Sequence, residues 1–215
     1  KKKLKLKEVR FLNFLSHKDY NLPKYQKQLE YWVNEYPEIP KPVFSEYNYD
    51  GGRVALDLTA DQSKDLKFYG YRNKSSLMNT LLLSLMKILV KKYDRDEFVI
   101  GIPMAGHENI SDSMVGNCVN LLPFKVRYNQ EMSDQEFIDQ LKDYQLLSFK
   151  SSEIPYELIK EKLGKDIIEI VLNVEPINEL PKFGKLKADL ITYPAFASEY
   201  PIYINAMKVD DIVNI

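Results

Sequence analysis

Between Leu22 and Tyr36 the apolar side chains fall at Tyr25, Leu29, Trp32, Val33 and Tyr36, a three-to-four-residue spacing that predicts an amphipathic helix. Pro37 and Pro40 end it and open an extended linker. Over Arg53–Leu58 the period changes to two, with Val54, Leu56 and Leu58 against Arg53, Ala55 and Asp57, as in a strand. Thr59-Ala60-Asp61-Gln62 has the makings of a capping box, so a helix follows directly. Ser75 or Ser76 then caps a second, strongly apolar helix over Leu77–Lys92. Glu97–Pro103 reads as a buried strand reached over that helix, a crossover unit.

A polar loop, His107–Ser113, leads to a strand over Cys118–Tyr128. Leu122, Phe124 and Val126 share one face of it, Lys125 and Arg127 the other, and Pro123 predicts a sheet edge or a bulge. Ser133-Asp134-Gln135-Glu136 is a second capping box, opening a helix through Phe149. Pro155 suits the first position of a further helix, Tyr156–Leu163, closed by Gly164. The continuous apolar run Ile167–Val174 predicts a central strand, and Leu186–Tyr193 and Ile202–Lys208 predict two more, with turns at Gly184 and Pro194. These elements predict an α/β domain in which helices cover a mixed β-sheet.

Composition narrows the partners. The 215 residues are 45% hydrophobic and 28% charged, enough for one sizeable core. Thirty Lys+Arg against 31 Asp+Glu leave a net charge of -1, which offers no long-range attraction to nucleic acid or to an anionic membrane. The one basic stretch, Lys1–Lys7, reads as a solvated tail or edge strand, with a membrane-surface or docking element as the alternative. The apolar run Leu77–Val90 is too short to span a bilayer. Cys118 is the single cysteine, so no internal disulfide is possible and a cytoplasmic, reduced location is expected. The chain begins without Met and carries no start signal, and it reads as part of something longer.

Local chemistry is sparse. His17 and His107 are the only imidazoles, ninety positions apart, and neither neighbours a second His, a Cys nucleophile or a carboxylate orienter. Both read as exposed loop histidines, with a catalytic or ligand role as the alternative. No metal-ligand spacing, Gly-rich phosphate loop or nucleophile elbow occurs; Asp50-Gly51-Gly52 reads as a turn. The 15 tyrosines are spread along helices and strands, as core packing and interface rims require.

Longer motifs carry more. Tyr93-Asp94-Arg95-Asp96-Glu97-Phe98-Val99-Ile100-Gly101-Ile102-Pro103-Met104-Ala105-Gly106 is similar to the run Y-x-G-Q-D-D-I-V-V-G-T-P-V-A-G-R of nonribosomal peptide synthetase condensation domains. Met114-Val115-Gly116-Asn117-Cys118-Val119-Asn120-Leu121-Leu122-Pro123 resembles their I-G-F-F-V-N-T-L-P motif. Ser151-Ser152-Glu153-Ile154-Pro155-Tyr156-Glu157 stands where they carry H-Q-D-V-P-F-E, and Leu29-Glu30-Tyr31-Trp32 resembles L-x-Y-W. The order and spacing match over most of residues 22–175. Departures are Cys118 for an aromatic, Leu121 for a threonine, Ser151-Ser152-Glu153 for H-Q-D, and Leu163–Ile167 for a reduced R-D-x-S-R-N-P-L.

The resemblance implies a chloramphenicol-acetyltransferase-like lobe, the C-terminal of two, with residues 1–21 as interlobe linker or tail and 22–215 as the lobe. It implies amide-bond formation between carrier-bound aminoacyl or peptidyl thioesters, with the HHxxxDG motif in an N-terminal lobe that has no counterpart here. No catalytic residue and no metal ligand is then expected in this chain, which alone would be inactive. Gly101, Pro103, Gly106, Gly116, Asn120 and Pro155 would line the substrate channel. For Asn120 a solvent-facing or bulge-satisfying amide is the alternative, and for Pro155 a plain helix entry. The implied partners are the N-terminal lobe, peptidyl or aminoacyl carrier proteins with their phosphopantetheine arms, and an adjacent adenylation domain; no cofactor would bind directly. An exposed interlobe face predicts self-association. A catalytically silent module binding carriers or neighbouring synthetase domains is the competing function.

Overall fold

In a computed structural model, residues 18–44, 51–104, 118–177, 184, 186, 199–209 and 211–215 are described. Their elements, in chain order, are α1 (Pro23–Glu35), α2 (Ala60–Arg72), α3 (Leu77–Tyr93), β1 (Glu97–Met104), β2 (Asn120–Arg127), α4 (Asp134–Phe149), α5 (Tyr156–Leu163), β3 (Ile170–Ile177), β4 (Ile202–Val209) and β5 (Ile212–Asn214). The strands form one sheet in the order β2-β1-β3-β4-β5. The outer pairs β1–β2 and β4–β5 are antiparallel, and β1–β3 and β3–β4 are parallel. This is the mixed, helix-covered α/β sheet that the hydrophobic pattern predicts.

Both capping boxes form. The Thr59 side chain accepts from the Gln62 amide while Gln62 returns a bond to the Thr59 amide, and Ser133 and Glu136 do the same at α4. Ser76, rather than Ser75, caps α3. The even face of β2 (Leu122, Phe124, Val126) is buried, and Phe124 meets Tyr144 of α4 edge-on at 5.4 Å. Inside the helical layer, Asn79 of α3 and Gln145 of α4 exchange two amide bonds of 3.1 and 2.8 Å while buried. A buried amide needs such a partner, so the pair fixes the register of the two helices.

β2 is an edge strand, as Pro123 predicts, and its register with β1 runs unbroken from Glu97↔Arg127 to Met104↔Asn120, so no bulge forms. Tyrosines cover two of its outward backbone groups. The Tyr36 hydroxyl donates to the Pro123 carbonyl at 2.7 Å, and the Lys125 amide donates to the Tyr144 hydroxyl at 3.1 Å. That cover interrupts the edge against pairing with another strand.

Three expectations are corrected. Arg53–Leu58 forms no full strand: only Asp57 bridges to Asn214, with Leu56 and Leu58 bonded to Ile215 and Val213. This places the segment beside β5 while β1 lies three strands further in, so α2 and α3 carry the chain from the sheet edge to its interior. Pro155 is the N-cap of α5, with ψ 140°, and not its first helical residue. β3 begins at Ile170; Ile167 and Ile168 are buried, but their amides bond to a tyrosine instead of a strand. The three-residue β5 is an addition, and the strand expected over Leu186–Tyr193 lies outside the described residues but for Leu186.

Candidate functional site

The motif stretches converge where β2 begins, α1 passes and the chain turns from α4 into α5. Asn120, the first residue of β2, is the hub. Its Nδ2 donates to the carbonyls of Ser152 (2.8 Å) and Ile154 (2.7 Å), and its Oδ1 accepts from the amides of Leu121 (2.9 Å) and Tyr156 (3.2 Å). An amide side chain has two N–H groups and two acceptor positions, so every one is used. Asn120 neither points free into solvent nor satisfies a bulge; it clamps the 151–156 turn onto the sheet.

Helix α1 holds the same turn from the other side. The Trp32 indole donates to the Ser151 carbonyl at 2.8 Å, the Glu153 amide donates to Gln28 Oε1 at 3.1 Å, and the Tyr31 and Ser148 hydroxyls lie 3.1 Å apart. Trp32 and Ile154 are fully buried. The L-x-Y-W-like and H-Q-D-V-P-F-E-like stretches are therefore two halves of one contact. Beyond the turn, the Tyr156 hydroxyl donates to Asp166 Oδ1 at 2.6 Å and accepts from the Ile167 amide at 3.0 Å. Burial first, and then the bond to Asp166, pushes that hydroxyl well above its usual range, so it stays a protonated donor. Nearby, burial lowers the Lys18 ammonium, against the opposing pull of Glu153. The linker after α1 is pinned by Glu169, whose carboxylate accepts from the Val43 (2.6 Å) and Phe44 (3.1 Å) amides.

Gly101 lies in β1 opposite Pro123, with Val171 of β3 as its parallel partner. A Cβ there would come within 2.8 Å of the Ile168 side chain and 3.2 Å of Leu121 and Val171, so glycine permits the close approach of β3 to the inner sheet. Pro103 pairs with Leu121 in the same ladder, one position from Asn120, and Pro155 sits between Ile154 and Tyr156 on the clamped turn. Gly106, Gly116, His17 and His107 lie outside the described residues. What the Asn120 clamp does chemically is to position: all four of its hydrogen-bonding positions go to backbone groups. The residues that motif reading missed are Gln28, Trp32 and Tyr156 as clamp partners; a buried-aromatic pattern marks the last two as core, while their hydrogen bonds leave no trace in sequence.

A mixed five-stranded sheet covered by helices, with its glycine- and proline-bearing strands ending beside a clamped turn, defines an α/β domain built around a rigid sheet end. The chain belongs to the condensation-domain family: the family model, described as "Condensation domain", matches residues 1–214. Among curated proteins it is similar to gramicidin S synthase 2 of Brevibacillus brevis, 27% identical over 150 residues, 65% of this chain and 3% of that protein. Bacitracin synthase 1 of Bacillus licheniformis is 28% identical over 150 residues, again 65% of this chain and 3% of that protein. The chain thus spans a few per cent of the curated relatives it matches. Among solved structures, a mutant of the starter condensation domain of rhizomide synthetase RzmA in complex with C8-CoA and Leu-SNAC shares the fold with a TM-score of 0.74 at 16% identity, over 95% of this chain and 49% of that one. The first condensation domain of the calcium-dependent antibiotic synthetase, in complex with a substrate analogue, gives 0.68 at 14% identity, over 91% and 47%. Among the described residues no helix is long and apolar enough to cross a membrane.

Proposed function

We propose that this chain is the C-terminal half of a condensation domain within a nonribosomal peptide synthetase, supplying channel wall and carrier-docking surface to a reaction whose base lies in an N-terminal half. In that reaction the amine of one carrier-bound aminoacyl thioester attacks the carbonyl of another. The C–N bond forms, the C–S bond breaks and the phosphopantetheine sulfur leaves as a thiolate, while the histidine of the other half takes the amine proton and passes it to that thiolate. The observation that carries the reading is a pair of facts: the chain superposes on about half of solved condensation domains, and its only histidines are the isolated His17 and His107.

On this reading the clamp works by holding, not by reacting. Gly101, Pro103 and Pro155 give a wall of fixed backbone, and Asn120 keeps the turn between α4 and α5 at its edge. The partners are the histidine-bearing half, carrier domains and an adenylation domain, in the cytoplasm, and the phosphopantetheine arm belongs to the carriers. The coding sequence upstream tests this directly. An HHxxxDG motif within a preceding stretch of comparable length is expected; a reading frame with none would overturn the catalytic assignment and leave a silent binding module.

A further inference from the structure

We infer that the cleft between α2, the start of α3 and the β4–β5 hairpin docks an acidic, amphipathic segment of a partner protein. The cleft encloses about 370 Å³. Its apolar floor is half-buried Leu66 of α2 and Leu77 of α3, laid over the buried Gly70 and Val213. Gly70 lets the helix settle onto the α2–α3 turn, since a Cβ there would stand 3.0 Å from the Ser75 carbonyl oxygen. The two hydroxyls in the wall, Ser75 and Thr80, are 3.0 Å apart and satisfied within the turn, so the cleft offers an incoming group apolar surface and no competing polar demand.

The rim is what sets the partner's chemistry. Lys67 and Lys208 both reach Asp211, the second across 3.3 Å. The Lys67 bond first, then that of Lys208, holds the Asp211 carboxyl below its usual range. Two ammonium groups with three donors each share a single carboxylate, so the rim already displays the group it accepts and keeps donors to spare. Along α2, Lys64, Lys67 and Tyr71 stand at i, i+3 and i+7 on this side, while Asp61 and Asp65 lie on the adjacent stripe with Phe68 and Arg72. Tyr71 is 82% exposed beside the apolar floor, in a protein that buries most of its other aromatic rings in or against the core. A large aromatic at the lip of an apolar cleft with a cationic rim is the pattern of a helix-in-groove anchor for an acidic helix. The net charge of -1 argues against a polyanion held by charge alone, because the attraction is confined to this corner. The cleft is at the β5 edge and the Asn120 clamp at the β2 edge, so the two share no residue and the inference does not rest on the condensation reading.

Fluorescence anisotropy of the 215-residue chain with two labelled amphipathic peptides, identical in apolar pattern but bearing Glu or Lys on the polar face, tests it. Saturable binding of the Glu peptide, weakened by added salt, is expected, with none of the Lys peptide. Tyr71→Ser and, separately, Lys208→Gln should each weaken binding by roughly tenfold, the scale of one anchor. Leu147→Ser, an exposed apolar position on α4, should leave it unchanged. Equal binding of both peptides, no binding of either, or equal loss in Leu147→Ser would overturn the proposal. So would light scattering that shows Tyr71-dependent self-association without peptide binding, which would make a second copy of this chain the occupant.

Discussion

Asn120 is held on four sides by the backbone it holds, and few side chains offer so clear a test of positioning. Removing its amide in Asn120→Ala would strand the Ser152 and Ile154 carbonyls and the Leu121 and Tyr156 amides. Urea denaturation should show a loss of about 2–3 kcal/mol, since the site is only half-buried and water repays part of the bonding. Asn120→Asp keeps the acceptors but sets a carboxylate against two carbonyl oxygens, which raises its folded pKa above an unfolded value of about 3.9. The variant's deficit should therefore be smallest below that pH and grow as the pH rises through the folded value. A pH-independent deficit would show that the turn relaxes away from residue 120. The motif singles out Asn120, but a motif does not say whether an amide faces a ligand or its own chain. Gly101 is the opposite case: a glycine in a strand already implies close approach, and the Ile168 side chain is what approaches.

At the scale of elements, local chemistry decides how much of the fold the sequence discloses. Both capping boxes are reciprocal side-chain-to-backbone bonds within four residues, so α2 and α4 begin where the pattern says. Arg53–Leu58 alternates as a strand should, yet pairing needs a neighbour, and only Leu56–Leu58 finds one; Val54 is left 92% exposed. Ile167 and Ile168 extend an apolar run without extending a ladder, because Tyr156 takes their amides. Burial is readable from hydrophobicity; the identity of a hydrogen-bond partner is not. The α3–α4 contact gives a further prediction. Gln145→Ala should cost about 2 kcal/mol by orphaning the Asn79 amide, and Asn79→Ala in the same background should add far less than it does alone. Additive losses in thermal denaturation would mean the amide pair is incidental.

The first turn of α4 carries one pH dependence. Burial opposes ionisation of Asp134, but the Lys87 and Tyr69 bonds outweigh it and lower its pKa from 3.8, while burial and Asp134 push the Tyr69 hydroxyl up to about 12. A depressed folded pKa stabilises above the unfolded value and is lost as pH falls through the folded one. Asp134→Asn should thus cost about 1 kcal/mol or less at neutral pH, given partial solvent screening, and the gap to the parent should close as pH drops below about 3.8. A gap that persisted in acid would place its origin in packing.

Over the whole molecule, one rigid sheet end is fastened by elements far apart in sequence: α1 through Trp32 and Gln28, β2 through Asn120, α5 through Tyr156. On the proposed reading, such an arrangement would present fixed backbone to substrates while a base in an N-terminal half reacts. Amide formation from aminoacyl and acyl N-acetylcysteamine thioesters, followed by mass spectrometry, measures that claim most directly. The 215 residues alone should yield no amide above the uncatalysed background, and the same residues expressed in frame with the proposed N-terminal half should yield it. Amide product from the 215 residues alone would contradict the account.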